Sequence, residues 1–320
     1  MIALEDLKQA VRGEVLLSET LAKYSSFKIG GAADFFIKPA DKADALRAIE
    51  FFDNHRTPHL VLGRGSNVLI ADDGVRGAVI SLRENLERVE VTERGGAVCV
   101  YAEAGVDLPA LASQMLKQGY GGLENLSGVP GSLGGAILMN AGAYGKEIFE
   151  VIEWVEVIRG GKIITLKKSE ISARYRATDL TNDVILSCEM KLKKLSPNDL
   201  AQAQENRKRW MEKRRATQPL NLPNAGSIFK NPPPDAEGNP QFAGALIEAC
   251  GLKGVRHGGA MISDKHANFI VNVDNAKAAD VMALIDLSKS AVKKKFNIEL
   301  ELEVKLIGFE SVKHNSVKTA

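Results

Sequence analysis

Cysteine is scarce in this chain. Cys99, Cys188 and Cys250 lie far apart and are odd in number, with no CxxC pair and no Cys/His zinc spacing. That excludes a disulfide framework and fits free thiols in a reducing cytoplasm. Charge of one sign is also lacking: 42 Lys and Arg against 40 Asp and Glu leave a net charge of +2. A nucleic-acid partner would want a clustered basic face, so none is expected. No apolar run reaches the length of a membrane span. The first 18 residues mix charged with apolar positions and carry no signal-peptide core. His55, His59, His257, His266 and His314 form no ligand spacing, and no metal is expected. A cytoplasmic protein off the membrane is the reading these absences support. Nothing in the sequence reports an oligomeric state.

What is present is length and glycine. The 320 residues exceed one typical core and suggest two or three domains. A first block, 1–82, reads as a short amphipathic helix and an extended arm, then a strand ending at Ile37. Asp41 N-caps a helix through Asn54, and strands follow at 59–62, 68–70 and 78–81. A second block, 83–197, opens on a hairpin over 86–104 around Gly95-Gly96. It continues with a helix over 108–118, a glycine-rich stretch over 121–145, and strands over 151–158, 162–166 and 184–192. Ser196-Pro197-Asn198-Asp199 starts a third block, 198–310. Its helix over 200–216 turns basic near its end, which suits a helix C-terminus. Helices over 242–250 and 277–296, a strand over 268–273 and a last strand over 298–307 complete it. The last strand can pack back on the second block, and 311–320 reads as a disordered tail. The fold class is α+β.

Two glycine loops stand out. Gly63-Arg64-Gly65-Ser66-Asn67 follows an apolar strand and can turn backbone N–H groups toward phosphate oxygens. Val68 stands where a dinucleotide fingerprint wants its third glycine, and a strand follows instead of a helix, so a Rossmann turn is not indicated. The second loop, Gly128 to Ala136, contains Gly131, Ser132, Gly134 and Gly135 and lacks the GK[ST] ending of a P-loop. Two such loops, both read as following apolar strands, favour one extended ligand with a central pyrophosphate. A third segment, Asn224-Ala-Gly-Ser-Ile-Phe-Lys-Asn-Pro232, sets Ser227, Lys230 and Asn231 in a turn opened by Gly226 and closed by Pro232. It can hold a proton donor beside groups that grip an anion.

These three segments, in this order, resemble the UDP-N-acetylenolpyruvoylglucosamine reductase family. The resemblance extends to Ser26-Phe-Lys-Ile-Gly-Gly31, Met139-Asn-Ala-Gly-Ala-Tyr-Gly145, Tyr175-Arg176, His266-Ala-Asn-Phe-Ile-Val271 and Leu302-Glu303-Val304. It spans residues 20 to 308. It implies a three-domain flavoprotein whose two lobes bind FAD in the vanillyl-alcohol-oxidase manner, with a C-terminal α+β domain for a UDP-sugar. The implied reaction is reduction of UDP-N-acetylglucosamine enolpyruvate by NADPH to UDP-N-acetylmuramate, an early step of peptidoglycan synthesis. Hydride would pass from flavin N5 to C3 and a proton from Ser227 to C2.

By the same resemblance Arg176 is the active-site arginine and Glu303 the active-site glutamate. Alternation along the last strand puts Glu299, Glu301, Glu303 and Lys305 on one face, so periodicity alone does not single out Glu303. Gly63, Arg64, Gly65, Ser66, Asn67, Gly131, Ser132, Gly134 and Gly135 are the expected FAD contacts. Arg215, Lys230 and Asn231 are expected on the UDP-sugar. The chain departs from some members at Gln218, where those carry Lys. It also lacks a longer loop between Arg176 and Ser187 whose Tyr closes over the substrate, and so resembles the shorter, second type. Another FAD oxidoreductase on the same cofactor fold, such as an oxidase of small alcohols, is the alternative. The Ser227 loop and Glu303 discriminate against it. A nucleotide-binding protein without turnover is a third reading, which the retained Ser227, Arg176 and Glu303 disfavour.

Overall fold

The computed structural model describes residues 2–309 and the backbone of 318 and 319. The chain begins with helix α1 (Leu4–Ala10) and strand β1 (Glu14–Thr20), followed by β2 (Ala32–Lys38), helix α2 (Lys42–Asn54), β3 (His59–Leu62), β4 (Val68–Ile70) and β5 (Val75–Ser81). Asp41 starts α2 by accepting the Asp44 N–H at 2.8 Å. The first sheet runs β1-β2-β5-β3, with β1 antiparallel to β2 and the inner pairs parallel. Lys318–Thr319 continue it beside Leu60–Val61. The tail expected to be disordered otherwise lies outside the described residues.

The second sheet is antiparallel. Its hairpin β6 (Val89–Arg94) and β7 (Ala97–Glu103) turns at Gly95-Gly96, both at positive φ where glycine is unstrained. Helix α3 (Leu108–Lys117) is capped by Asp107 and short α4 (Leu133–Leu138) by Ser132. Strands β8 (Ile152–Arg159), β9 (Lys162–Lys167) and β10 (Val184–Lys194) complete the order β9-β8-β10-β7-β6. One apolar core joins this sheet to the first: Leu7, Ile37, Phe52 and Ile80 share it with Leu82, Leu86, Val100, Met115, Val155 and Met190.

Helix α5 (Pro197–Thr217) leads into the third part, which holds α6 (Ala243–Ala249), β11 (Ala260–Ile262), β12 (Ile270–Asn272) and α7 (Ala278–Phe296) around a separate core. Strand β13 (Lys305–Ile307) ends it. Two expectations are corrected here. The strand expected over 298–307 is regular only in its last three residues, with an isolated bridge between Leu302 and Phe229. Its partner is not the second block: β13 pairs in parallel with β4 of the first. Asp72 adds to that junction, its carboxylate accepting the first N–H groups of α7, Ala278 at 2.8 Å and Ala279 at 3.1 Å. Among the described residues no helix is long and apolar enough to cross a membrane.

Candidate active site

A cavity of about 860 Å³ opens where the three parts meet. One wall is the two glycine loops, which interlock. A Cβ on Gly63 would stand 2.3 Å from Ser132 Oγ, and one on Gly131 would stand 2.9 Å from Ser66 Oγ. Ser66 Oγ donates to Pro130 O at 3.0 Å. A Cβ at either glycine would therefore displace a serine hydroxyl of the facing loop. The second loop follows a 3-10 turn (Glu124–Leu126), where a strand was expected, and runs into α4.

The first loop is also tied to the third part. Asn67 Nδ2 donates to Glu303 O at 3.1 Å, and Lys305 N donates to Asn67 O at 2.9 Å. Ser26 N donates to Gly65 O at 3.0 Å while Ser26 Oγ reaches Asn224 O at 2.6 Å. The loop carbonyls are thus used, whereas the backbone N–H groups of Gly65, Ser66 and Asn67 have no acceptor among the described residues. Unpaired donors on a glycine loop beside a cavity suit phosphate oxygens. Asn125 Oδ1, on the same wall, is buried and unpartnered. The residues present fit FAD. Gly134 departs from expectation. It packs on Ala104, where a Cβ would meet the Ala104 Cβ at 2.9 Å, and it does not line the cavity.

Opposite stands the Ser227 loop. Gly226 takes φ +75°, and its N–H donates to Asn224 Oδ1 at 2.9 Å. Buried Asn268 clamps the next turn: its Oδ1 accepts Phe229 N at 2.9 Å and its Nδ2 donates to Phe229 O at 2.8 Å. Glu303 N donates to Ile228 O at 2.8 Å, which holds Ser227 one residue from the Glu303 segment. Ser227, Arg176 and Glu303 all line the cavity. Ser227 makes no hydrogen bond to the protein through its hydroxyl among the described residues, leaving it for a ligand.

Arg176 lies in a two-residue turn between Ala173–Arg174 and Ala177–Thr178, at φ +56°. Its Nη1 donates to Gly142 O at 3.1 Å, and its Nε lies 2.9 Å from Glu303 Oε1. Nε is buried and unaligned for a hydrogen bond, so the Glu303 contact is one of charge. Burial pushes the Glu303 carboxyl above its ordinary value, with Arg176, Lys230 and Lys305 pulling the other way. Lys305, also on the cavity, is lowered by burial and by repulsion from Lys230. Arg64 lines the cavity too and is paired with Glu87 at 3.3 Å and Asp107 at 3.2 Å.

The three residues expected on the UDP-sugar lie elsewhere. Arg215 is exposed and off the cavity; its neighbour Arg214 lines it. Lys230 Nζ pairs with Glu301 at 3.3 Å. Asn231 Oδ1 accepts the Ala243 N–H at 3.1 Å, at the start of α6. Neither lines the cavity. Tyr144, His266 and Lys305 line it without having been expected to. Tyr144 stacks on Trp210 of α5, with centroids 4.6 Å apart and planes at 11°. Two of the three had a signal: Tyr144 and His266 sit inside segments that carry the resemblance. No group of His, Cys, Asp or Glu suited to a metal occurs among the described residues.

Fold and site together define an FAD-dependent oxidoreductase with a separate C-terminal domain. Residues 33–167 match the family described as FAD binding domain, and residues 218–307 match the C-terminal domain of UDP-N-acetylenolpyruvoylglucosamine reductase. The chain is 61% identical to the UDP-N-acetylenolpyruvoylglucosamine reductase of Chloroherpeton thalassium over 97% of its own length and 98% of that protein. It is 42% identical to the reductase of Carboxydothermus hydrogenoformans, covering 95% and 97%. A crystal structure of the reductase from Thermus caldophilus superposes with a TM-score of 0.75 at 34% identity, over 92% of this chain and 99% of that one. The chain belongs to the UDP-N-acetylenolpyruvoylglucosamine reductase family.

Proposed function

We propose that this chain reduces UDP-N-acetylglucosamine enolpyruvate to UDP-N-acetylmuramate with NADPH, an early cytoplasmic step of peptidoglycan synthesis. The observation that carries the reading is the convergence of Ser227, Arg176 and Glu303 on the cavity walled by the two glycine loops. FAD, when bound, supplies the hydride chemistry between the two substrates. Gly63, Gly65, Ser66, Asn67, Gly131, Ser132 and Gly135 would hold it.

Hydride addition to the vinyl carbon drives negative charge onto the neighbouring carbon and its carboxylate. That charge needs fixed donors already in place. Arg176 presents its planar fork to the carboxylate, held by Gly142 O. Glu303, whose carboxyl burial pushes above its ordinary value, would donate a hydrogen bond to the enolate oxygen when protonated. Ser227 delivers the proton to carbon. Its hydroxyl is a weak acid in water, but its acceptor is strongly basic, and Arg176 and Lys305 on the same cavity add positive charge that favours the alkoxide left behind.

The visible spectrum of purified protein tests this. The protein should be yellow, NADPH should bleach it without oxygen, and the enolpyruvyl substrate should restore the colour. A colourless protein contradicts FAD. Restoration by oxygen but not by that substrate would favour an oxidase.

A further inference from the structure

Arg214 is a half-buried cation. It lies in the last turn of α5 and lines the cavity. Among the described residues no carboxylate comes within ion-pair distance of it, whereas Arg64 and Arg176 on the same cavity are both paired. Burial holds its pKa below the usual arginine value, opposed only by Tyr144, whose phenol is itself raised by burial. Its Nε donates to Gln218 Oε1 at 2.8 Å, which fixes the plane of the guanidinium and leaves the Nη groups free. The guanidinium lies directly against Gly128: a Cβ there would stand 2.8 Å from Nη1 and 3.0 Å from Cδ. Arg214 is therefore placed, oriented and given room, yet its Nη groups have no acceptor among the described residues.

A partly buried charge without an ionic partner is costly, and one kept in a cavity wall suits an anion in that cavity. Guanidinium forks match phosphate oxygens two at a time. We propose that Arg214 is an anion-binding residue of this cavity that takes the diphosphate of a bound nucleotide. The inference rests on the reading above that FAD and a nucleotide sugar share the cavity. Both carry that diphosphate, and the test separates them.

Arg214→Gln and Arg214→Lys are compared with wild type in two titrations. The first adds FAD to flavin-stripped protein and follows flavin fluorescence. The second adds UDP, then uridine, to flavin-loaded protein and follows the flavin absorbance. Arg214→Gln should weaken one ligand by about tenfold or more, as loss of a charged hydrogen bond implies. Loss on FAD assigns the cofactor's diphosphate. Loss on UDP with uridine unchanged assigns the substrate's. Arg214→Lys should fall between, keeping charge without the fork. Because the change removes a half-buried charge with no ionic partner among the described residues, ligand-free Arg214→Gln should melt no lower than wild type. If both affinities stay within about twofold of wild type, Arg214 does not have this role, whatever the enzyme reduces. If wild type itself binds neither FAD nor UDP, the functional reading falls and this inference with it.

Discussion

Arg176 Nε stands 2.9 Å from Glu303 Oε1, and the two side chains reach that contact from different parts of the chain. Arg176 comes from a tight turn in the second block, Glu303 from the segment that leads into β13. Both are largely covered, at 24% and 15% side-chain exposure. Arg176 also holds φ +56°, a region that costs a residue with a Cβ about 1–2 kcal/mol. Strain of this kind persists where the surroundings over-determine it. Here Gly142 O and Glu303 do so, and the result is an arginine fork fixed on the cavity wall.

Glu303 gives the site a pH signature. Its carboxyl is raised above the ordinary value, by burial first. The folded protein therefore holds this proton more tightly than the unfolded chain. The stability it contributes is full below the unfolded value, about pH 4.3, and is lost as pH rises through the native value. Glu303→Gln imitates the protonated acid and should escape that loss. Its melting temperature relative to wild type should climb as pH is raised through that window. Parallel curves for the two proteins would contradict the burial argument.

The interlocked loops predict a suppressor pair. Gly63→Ala puts a methyl 2.3 Å from Ser132 Oγ and should force the loops apart, lowering FAD affinity. Ser132→Ala removes that oxygen and leaves only the Ser132 Cβ at 3.4 Å. The double variant should recover FAD binding over Gly63→Ala while losing about 1 kcal/mol of stability with the cap of α4. Fluorescence titration of flavin-stripped protein reads the first effect and urea unfolding the second. Equal FAD affinity for wild type and Gly63→Ala would refute the interlock.

Asn268 holds the turn that carries Ser227. Its amide pairs both the N–H and the carbonyl of buried Phe229. Asn268→Ala leaves two buried backbone groups unsatisfied, each at about 1–3 kcal/mol. A stability loss of about 2–6 kcal/mol is expected on that basis, read from urea unfolding as a lowered midpoint at constant slope. A loss under about 1 kcal/mol would mean that water replaces the clamp.

Much of this was legible along the chain because local chemistry marks it. Asp41 and Ser196 announce α2 and α5, and Gly95-Gly96 announces its hairpin. What failed was what long-range packing decides. Leu300 and Val304 are buried in the third core, so their alternation imitates a strand. The backbone beside them bonds to the Ser227 loop instead, Lys230 N to Glu301 O and Glu303 N to Ile228 O. The same alternation made Glu301 and Glu303 equivalent, yet Glu301 is 77% exposed and Glu303 15%. Only Arg176, brought in from another block, tells them apart. That Arg214 and not Arg215 lines the cavity was illegible for a related reason. Each step along a helix turns it by about 100°, and α5 buries only Ala203, so no apolar stripe fixes its phase.

The most direct test of the account is Ser227→Ala in the two half-reactions, followed separately by stopped flow without oxygen. Reduction of the bound flavin by NADPH should proceed within a few-fold of wild type, because no proton to carbon is needed there. Reoxidation by the enolpyruvyl substrate should fall by about 10²–10⁴-fold, the usual worth of a positioned proton donor, with UDP affinity retained. Equal slowing of both half-reactions, or reoxidation at the wild-type rate, would contradict the role given to Ser227.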